Sequence, residues 1–296
     1  IHFAPQVQFR LAYSQTRTLP NFSDLNPNLT LNAPPSTPDQ RGTPGNPQTG
    51  QGGNPFLKPY KSDNFDASLE FYVSRTAFAS AAYFHRELDG FIQSGTTIIP
   101  NDPVHGYTEI TTPFNTGKGH IDGWELQGQS FLDIAGLPKW AQGFGLQASV
   151  TFLNAKTQVF NPTLNGGAGG LYYQPLIDQL SGSSRFLYNI VALYEQGPLS
   201  ARATLNGRSS FLATQQFRGD DVYYEYGKPA PRLDLSINYE VRPSVTIFGD
   251  WTNVTGAPFK QYESSARDGA PRAEFIRYIR YDESVASIGV RVRLGG

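Results

Sequence analysis

Four histidines are the natural first place to look for chemistry. His2, His85, His105 and His120 lack metal-ligand spacing, and no H-E-x-x-H signature occurs. His85 and Asp89 could do acid–base work of the kind a membrane-barrel protease does, but a histidine at a water interface is the plainer reading. There is no G-x-S-x-G, and the glycine-rich runs 45–53 and 166–170 lack the lysine and serine of a phosphate loop, so their glycines read as loop glycines. Cys is absent, which excludes disulfides, thiolate metal sites and a thiol nucleophile. No catalytic residue, metal or cofactor is therefore assigned, and the expectation is a protein that is not an enzyme.

Aromatic residues offer binding instead. Tyr172 and Tyr173 lie in one long connection, and Phe217, Tyr223, Tyr224 and Tyr226 lie in another. Tyrosine faces stack on sugar rings and their hydroxyls hydrogen-bond to sugar. The competing reading is an aromatic girdle at a membrane interface, or packing inside a folded loop.

The elements that must position these residues can be read from composition and period. The chain has 296 residues with 16 Tyr, 20 Phe and 3 Trp, yet only 17% are charged. That is below the ~25% of an ordinary soluble domain. Mean hydropathy is negative because Gly, Pro, Asn, Gln, Ser and Thr are also abundant. Net charge is −1 and no basic run occurs, so a nucleic-acid partner finds no support. The chain begins at Ile1, contains no Met and shows no signal peptide, which reads as a segment of a longer product. No stretch approaches the ~18 apolar residues of a membrane helix, so any crossing is made by strands.

Period-2 alternation dominates. Val7, Phe9, Leu11 and Tyr13 share one face; so do Phe65, Ala67, Leu69, Phe71 and Val73. The same pattern runs through 124–129, 144–152, 199–208, 233–241 and 287–294. The stretches 76–89 and 185–195 carry apolar residues on both faces, and 245–252 puts Phe248 on its otherwise polar side. Together these make ten expected strands.

Long connections run 15–62, 90–117, 156–183, 213–230 and 255–283, and they alternate without exception with short ones near 74–76, 132–142, 195–198 and 242–244. An all-β, transmembrane, antiparallel up-and-down barrel gives this pattern, with short periplasmic turns and long outer loops. A soluble β-sandwich would also alternate, but it seldom places long loops at one end only, and its strands are shorter. In hydrocarbon every backbone N–H and C=O must be paired within the sheet. The apolar face then meets lipid, while Glu70, Glu125, Gln127, Gln147, Arg202, Asn206 and Arg208 line the interior. These could touch ligand; contact with water or a domain filling the barrel is the more economical assignment. A one-residue slip would push Arg202, Asn206 and Arg208 into lipid, so register is strongly specified.

The segment Gly53-Asn54-Pro55-Phe56-Leu57-Lys58-Pro59, with Ser62-Asp63-Asn64-Phe65-Asp66 and Ser68-Leu69-Glu70-Phe71-Tyr72, resembles the signature of TonB-dependent receptors. Further matches follow in the family's order: Phe84 with Arg86 through Ile92, then Gly117-Lys118-Gly119 through Gly123-Trp124-Glu125. After these come Tyr194-Glu195 with Ser200-Ala201-Arg202, then Asn206 and Arg208, Asn253-Val254-Thr255, and Ser287 to Arg291. Within the family the chain is most similar to the group typical of Caulobacter and Xanthomonas relatives, many of them associated with carbohydrate uptake.

The resemblance implies a 22-stranded barrel of the Gram-negative outer membrane, of which residues 1–296 supply about the last ten strands. The plug domain, the segment that contacts the TonB complex and the first strands would precede Ile1. It also implies outer-membrane lipid and the barrel assembly machinery as partners, and active uptake of a scarce small-molecule ligand, carbohydrate or siderophore-like. The family usually ends on an aromatic assembly signal, whereas this chain ends Leu294-Gly295-Gly296; either the terminus is altered or recognition by the assembly machinery is weaker. The rival readings are a passive ten-stranded pore or adhesin barrel, and a soluble β-rich binding module.

Overall fold

Ten long strands, each alternating apolar and polar side chains, pair in chain order into one sheet. The structure, a computed structural model, describes residues 2–4, 6–32, 42–115, 117–132, 134–159, 176–218, 221–266 and 273–293. In chain order the first strands are β1 (His2–Ala4), β2 (Val7–Thr18), β3 (Leu29–Leu31), β4 (Gln48–Gly52), β5 (Tyr60–Tyr72), β6 (Phe78–Asp89) and β7 (Ile92–Asp102). Then come β8 (Gly106–Asn115), β9 (Lys118–Phe131), β10 (Phe144–Val159), β11 (Leu176–Gln179), β12 (Phe186–Gln196), β13 (Leu199–Arg208) and β14 (Phe211–Arg218). The last are β15 (Asp221–Pro229), β16 (Arg232–Arg242), β17 (Val245–Thr252), β18 (Pro258–Ala266), β19 (Ala273–Tyr281) and β20 (Val285–Val292). Two single-turn helices, α1 (Phe22–Leu25) and α2 (Lys139–Gln142), complete the set.

The main sheet runs β1-β2-β5-β6-β9-β10-β12-β13-β16-β17-β20, with β11 added beside β10. Its ten long members are the ten strands expected from the alternation. Every adjacent pair is antiparallel, and its two outermost strands are not paired to each other, so the sheet is open among the described residues.

Register fixes the faces. Partners Phe71, Leu69 and Ala67 sit opposite Val7, Phe9 and Leu11, and the apolar row passes on through Ala81, Leu126 and Val150. A neighbouring row on the same face runs from Leu146 through Ala192, Ala203, Leu235 and Trp251 to Ala286. This apolar face is exposed: Leu11 is 70% accessible and Ile288 84%. Such a surface is expensive in water and favourable against lipid tails. Aromatic pairs mark its two margins. Tyr13–Phe65 and Tyr83–Trp124, with ring centroids 4.7 and 5.0 Å apart, lie toward the long-loop end; Phe144–Tyr194, at 4.7 Å, lies toward the short-turn end. Belts at these levels suit rings that are apolar in body and polar at the tip.

Two of the three irregular strands, β6 and β17, now have a cause for their apolar residues on the polar face. Phe84 pairs with Gly123, and Phe248 pairs with Gly289. In each case a Cβ on the glycine would run into the ring, so the aromatic lies flat across its neighbour's missing side chain. The guanidinium of Arg291 then sits 5.2 Å from the Phe248 ring centre.

The long connections differ from the loops expected. They carry two further sheets, β3-β4-β8-β7 and β14-β15-β18-β19. The hairpin tip of β7–β8 is held by Asp102, whose carboxylate accepts the backbone N–H of Val104 at 2.9 Å and of His105 at 2.8 Å. Those two donors hold the carboxyl below its ordinary range.

Two predictions follow from these arrangements. Leu235→Arg, on the apolar face, should cost about 2–4 kcal/mol in a bilayer, read as a lower urea midpoint, whereas Thr204→Arg on the polar face should fold normally. Because the Asp102 value is depressed on folding, its contribution is complete above the ordinary carboxylate pKa and lost as pH falls through the folded value. Protection of the Val104 and His105 amides, taken relative to their intrinsic exchange rates, should therefore fall as pH drops through that value, and Asp102→Ala should remove that pH dependence.

Candidate functional site

Where the polar face of the main sheet meets the second outer sheet, the chain forms an open cavity of about 550 Å3. Its floor is two register rows: Ser149, Asn189, Asn206 and Arg232 in one, and Thr151, Leu187 and Arg208 in the next. Its upper wall comes from Phe211, Pro229, Pro258, Phe259, Arg280 and Asp282. Three guanidinium groups thus face one lining carboxylate.

Each arginine is held. Arg208 donates through Nε to Ser184 Oγ and through Nη2 to the Gly182 carbonyl, both at 2.7 Å, and lies 4.2 Å over the Phe211 ring. Ser184 is buried and donates in turn to the Ser209 carbonyl at 2.8 Å. Among the described residues Arg208 has no carboxylate partner. Arg280 pairs with Asp282 at 2.8 Å and lies 5.2 Å over Phe259; Arg232 pairs with Asp234 at 3.2 Å. The amide of Asn189 donates to the Asn206 side-chain oxygen. Planar cations laid on aromatic faces, with N–H groups fixed in direction, make a surface suited to anionic oxygens.

One buried residue ties the wall to the floor. Asn253 is fully buried and has φ of 51°. Its backbone N–H donates to Asp234 Oδ1 at 2.7 Å, its Nδ2 to the Asp282 carbonyl at 3.0 Å, and its Oδ1 accepts from Ala257 N–H at 2.8 Å. Asn tolerates positive φ where most side chains do not, so one residue reverses the chain and orients the segments bearing Arg232 and Arg280. This gives the Asn253-Val254-Thr255 motif a structural reason.

The expected interior residues Glu70, Glu125, Gln127, Gln147, Arg202, Asn206 and Arg208 all lie on the polar face by register. The structure brings only Asn206 and Arg208 into the cavity; Glu70 instead faces Arg10 at 3.6 Å. Of the aromatic candidates, Tyr172 and Tyr173 lie outside the described residues, and Phe217 is placed in β14 by its backbone alone. Tyr224 and Tyr226 stack at 6.3 Å on one face of β15. Tyr223 lies on the other, which is the face that carries Phe259. Sequence reasoning missed Phe211, Arg232, Phe259, Arg280 and Asp282. The signal for one of them was present: Phe259, Gln261 and Glu263 alternate within a stretch read as loop.

The likenesses agree with this geometry. The family model described as TonB dependent receptor-like, beta-barrel matches residues 2–254. The chain belongs to that family, and membership places it in the outer membrane of a Gram-negative bacterium. Among curated proteins none matches the sequence. A ferric enterobactin receptor PfeA mutant from Pseudomonas aeruginosa, in complex with enterobactin, is similar at TM-score 0.63 and 17% identity, covering 98% of this chain and 39% of that one. The siderophore receptor PirA from Pseudomonas aeruginosa is similar at TM-score 0.52 and 13% identity, over 98% of this chain and 40% of that one. The siderophore receptor PiuA from Acinetobacter baumannii is similar at 0.56 and 14%, over 98% and 34%. At these identities the likeness speaks for the fold, and this chain spans between a third and two fifths of their lengths.

Asn253→Ala should destabilise the protein by about 2–4 kcal/mol, the sum expected for lost buried hydrogen bonds and a strained φ, seen as a lower denaturant midpoint. Asn253→Gly, which relieves φ but not the hydrogen bonds, should recover part of that loss.

Proposed function

We propose that the protein is an active-uptake receptor whose barrel captures a scarce, anionic, oxygen-rich small molecule at the outer face. The observation that carries the ligand reading is the upper cavity, where Arg208, Arg232 and Arg280 outnumber the single carboxylate of Asp282. Removing an anion from water needs paired positive charge and directed hydrogen bonds. A neutral sugar would leave Arg208 desolvated without a counter-charge, so a siderophore-like ligand fits this cavity better than a carbohydrate. Tyr223 lies on the face that continues upward from Phe259, which makes it a candidate contact. The stacked pair Tyr224 and Tyr226 supports the wall from behind.

In this reading residues 1–296 are the C-terminal part of a barrel. A plug domain preceding them couples to the TonB complex, and force on the plug releases bound ligand inward. No bond is made or broken. The polar row Glu70, Glu125, Gln127, Gln147 and Arg202 then faces the plug and water.

The reading is tested with the full-length receptor in detergent, titrated with a ferric siderophore and followed by intrinsic fluorescence. Arg208→Ala should weaken binding about 10- to 100-fold, the value of one charge-assisted hydrogen-bonding group of ~1.5–3 kcal/mol. Uptake by cells should stop when TonB is deleted. Unchanged affinity would remove the ligand assignment; uptake that persists without TonB would remove the transport assignment.

A further inference from the structure

The strands of the second outer sheet stand in the order of the barrel strands they join. β14 follows β13 across Ser209-Ser210, and β15 leads into β16 across Ala230-Pro231. β18 follows β17 across 253–257, and β19 leads into β20 across Asp282-Glu283-Ser284. The outer order β14-β15-β18-β19 therefore repeats the barrel order β13-β16-β17-β20. Hydrogen bonds carry the wall through the joints. Ala230 N–H donates to the Pro258 carbonyl at 3.1 Å, Val254 N–H to the Leu233 carbonyl at 2.8 Å, and the Trp251 indole to Ser284 Oγ at 2.8 Å. The outer sheet is the barrel wall continued past the membrane, and β19 stands in line with β20 at the same open edge.

Among the described residues β19 pairs on one side only. A strand edge left in water is ordinarily guarded by charge, by proline or by being short. β19 runs nine residues without a proline. Its three charged side chains are all engaged by groups of its own hairpin or of the sheet behind it. Glu274 pairs with Lys228 at 3.2 Å. Arg277 is the extra residue of a bulge opposite Gln261 and Tyr262, and pairs with the buried Glu225. Arg280 pairs with Asp282 at 2.8 Å and lies over the Phe259 ring.

What remains on β19 is apolar on both faces. Phe275 and Tyr278 share the face that carries Phe259, whereas Ile276, Ile279 and Tyr281 are on the other. All five are between 39% and 75% exposed. Lipid tails would cover one face alone, and the second face also carries Lys228 and Lys260. A strand apolar on both sides is the pattern of one enclosed on both. The two inner strands already have that enclosure: Tyr224 and Ser264 are buried on one face, Glu225 and Gln261 on the other.

We infer that β19 is the docking edge for a further strand, and that its occupant is the upstream part of this same receptor. That occupant is the outward continuation of the strand that closes the barrel against β20. Continuity selects it, because the repeated order puts whatever pairs with β19 directly above whatever pairs with β20. A second copy would have to insert a strand above the closing strand of the first. The arginine cavity is incomplete without the added strand, since Arg280 and Asp282 line it from this edge and the joint below it. The inference rests on the reading of residues 1–296 as the C-terminal part of a barrel.

The test is hydrogen exchange of the full-length receptor in detergent, read by mass spectrometry over 273–281 and 285–292. On an unpaired edge about half of a strand's amides lack a cross-strand partner and exchange at once. With the wall continued, nearly all amides of 273–281 should be slowed about a hundredfold or more, as those of 285–292 are. Photo-crosslinking from Ile276→p-benzoylphenylalanine, in receptor that keeps the heat-modifiable mobility of a folded barrel, should join β19 to a peptide upstream of Ile1 in the same molecule. Protection over 285–292 with rapid exchange of half the β19 amides would overturn the inference and leave the barrel reading intact. A crosslink to a second receptor copy or to a different protein would do the same. Rapid exchange over 285–292 as well would remove the C-terminal-barrel reading, and this inference with it.

Discussion

The need to pair every backbone polar group inside the sheet governs this molecule. In hydrocarbon no water is available, and an unpaired N–H or C=O costs several kcal/mol. Ten strands meet that demand by pairing antiparallel in chain order, which requires short reversals at one end and frees the other end for long excursions. The side-chain period of two then divides each strand between two solvents. The floor of the upper cavity is placed by that division: Ser149, Asn189, Asn206 and Arg232 form one row because each is opposite the next across a ladder.

The excursions are not idle. Having left the membrane, the chain again must satisfy its backbone, and it does so by building two small sheets rather than open loops. The second of these closes over the barrel's polar rows, and Asn253 pins the approach by accepting and donating in three directions. The first is pinned to the rim by Asn115. Its Oδ1 accepts from Lys58 N–H at 2.7 Å, and its Nδ2 donates to the carbonyls of Lys58 at 2.9 Å and Gly90 at 3.0 Å. The Gly53 to Pro59 signature is thus the hinge between rim and outer sheet, with Leu57 buried beneath it.

The membrane part was legible from sequence because its rule is simple: alternate, and turn. All ten long strands were readable, and in two of the three irregular ones, β6 and β17, pairing reveals the reason, a ring laid over a cross-strand glycine. The strand ends were less visible. β9 starts at Lys118, well before the alternation from Trp124, because outward-facing polar residues such as His120 and Asp122 lie above the apolar band. The outer sheets escaped notice for a different reason. Strands such as Leu29–Leu31 and Gln48–Gly52 are short, and the pairing of Gln48–Gly52 is set by a partner strand far away in sequence. The cavity was legible only in part: Asn206 and Arg208, on a barrel strand, were among the residues read as facing the interior, whereas Arg232, also on a barrel strand, and Arg280 and Phe259, on the outer sheet, were not.

Which solvent each face of a strand meets decides whether this sheet is a membrane barrel. The chain contains no cysteine, so single cysteines introduced along β13 report without interference from it. Spin labels at positions 201, 203 and 205 of the receptor in lipid bilayers should relax strongly with oxygen and weakly with a water-soluble nickel chelate. Labels at 200, 202 and 204 should show no such preference for oxygen. Equal access of the nickel chelate to both sets would contradict the membrane-facing assignment and everything built on it.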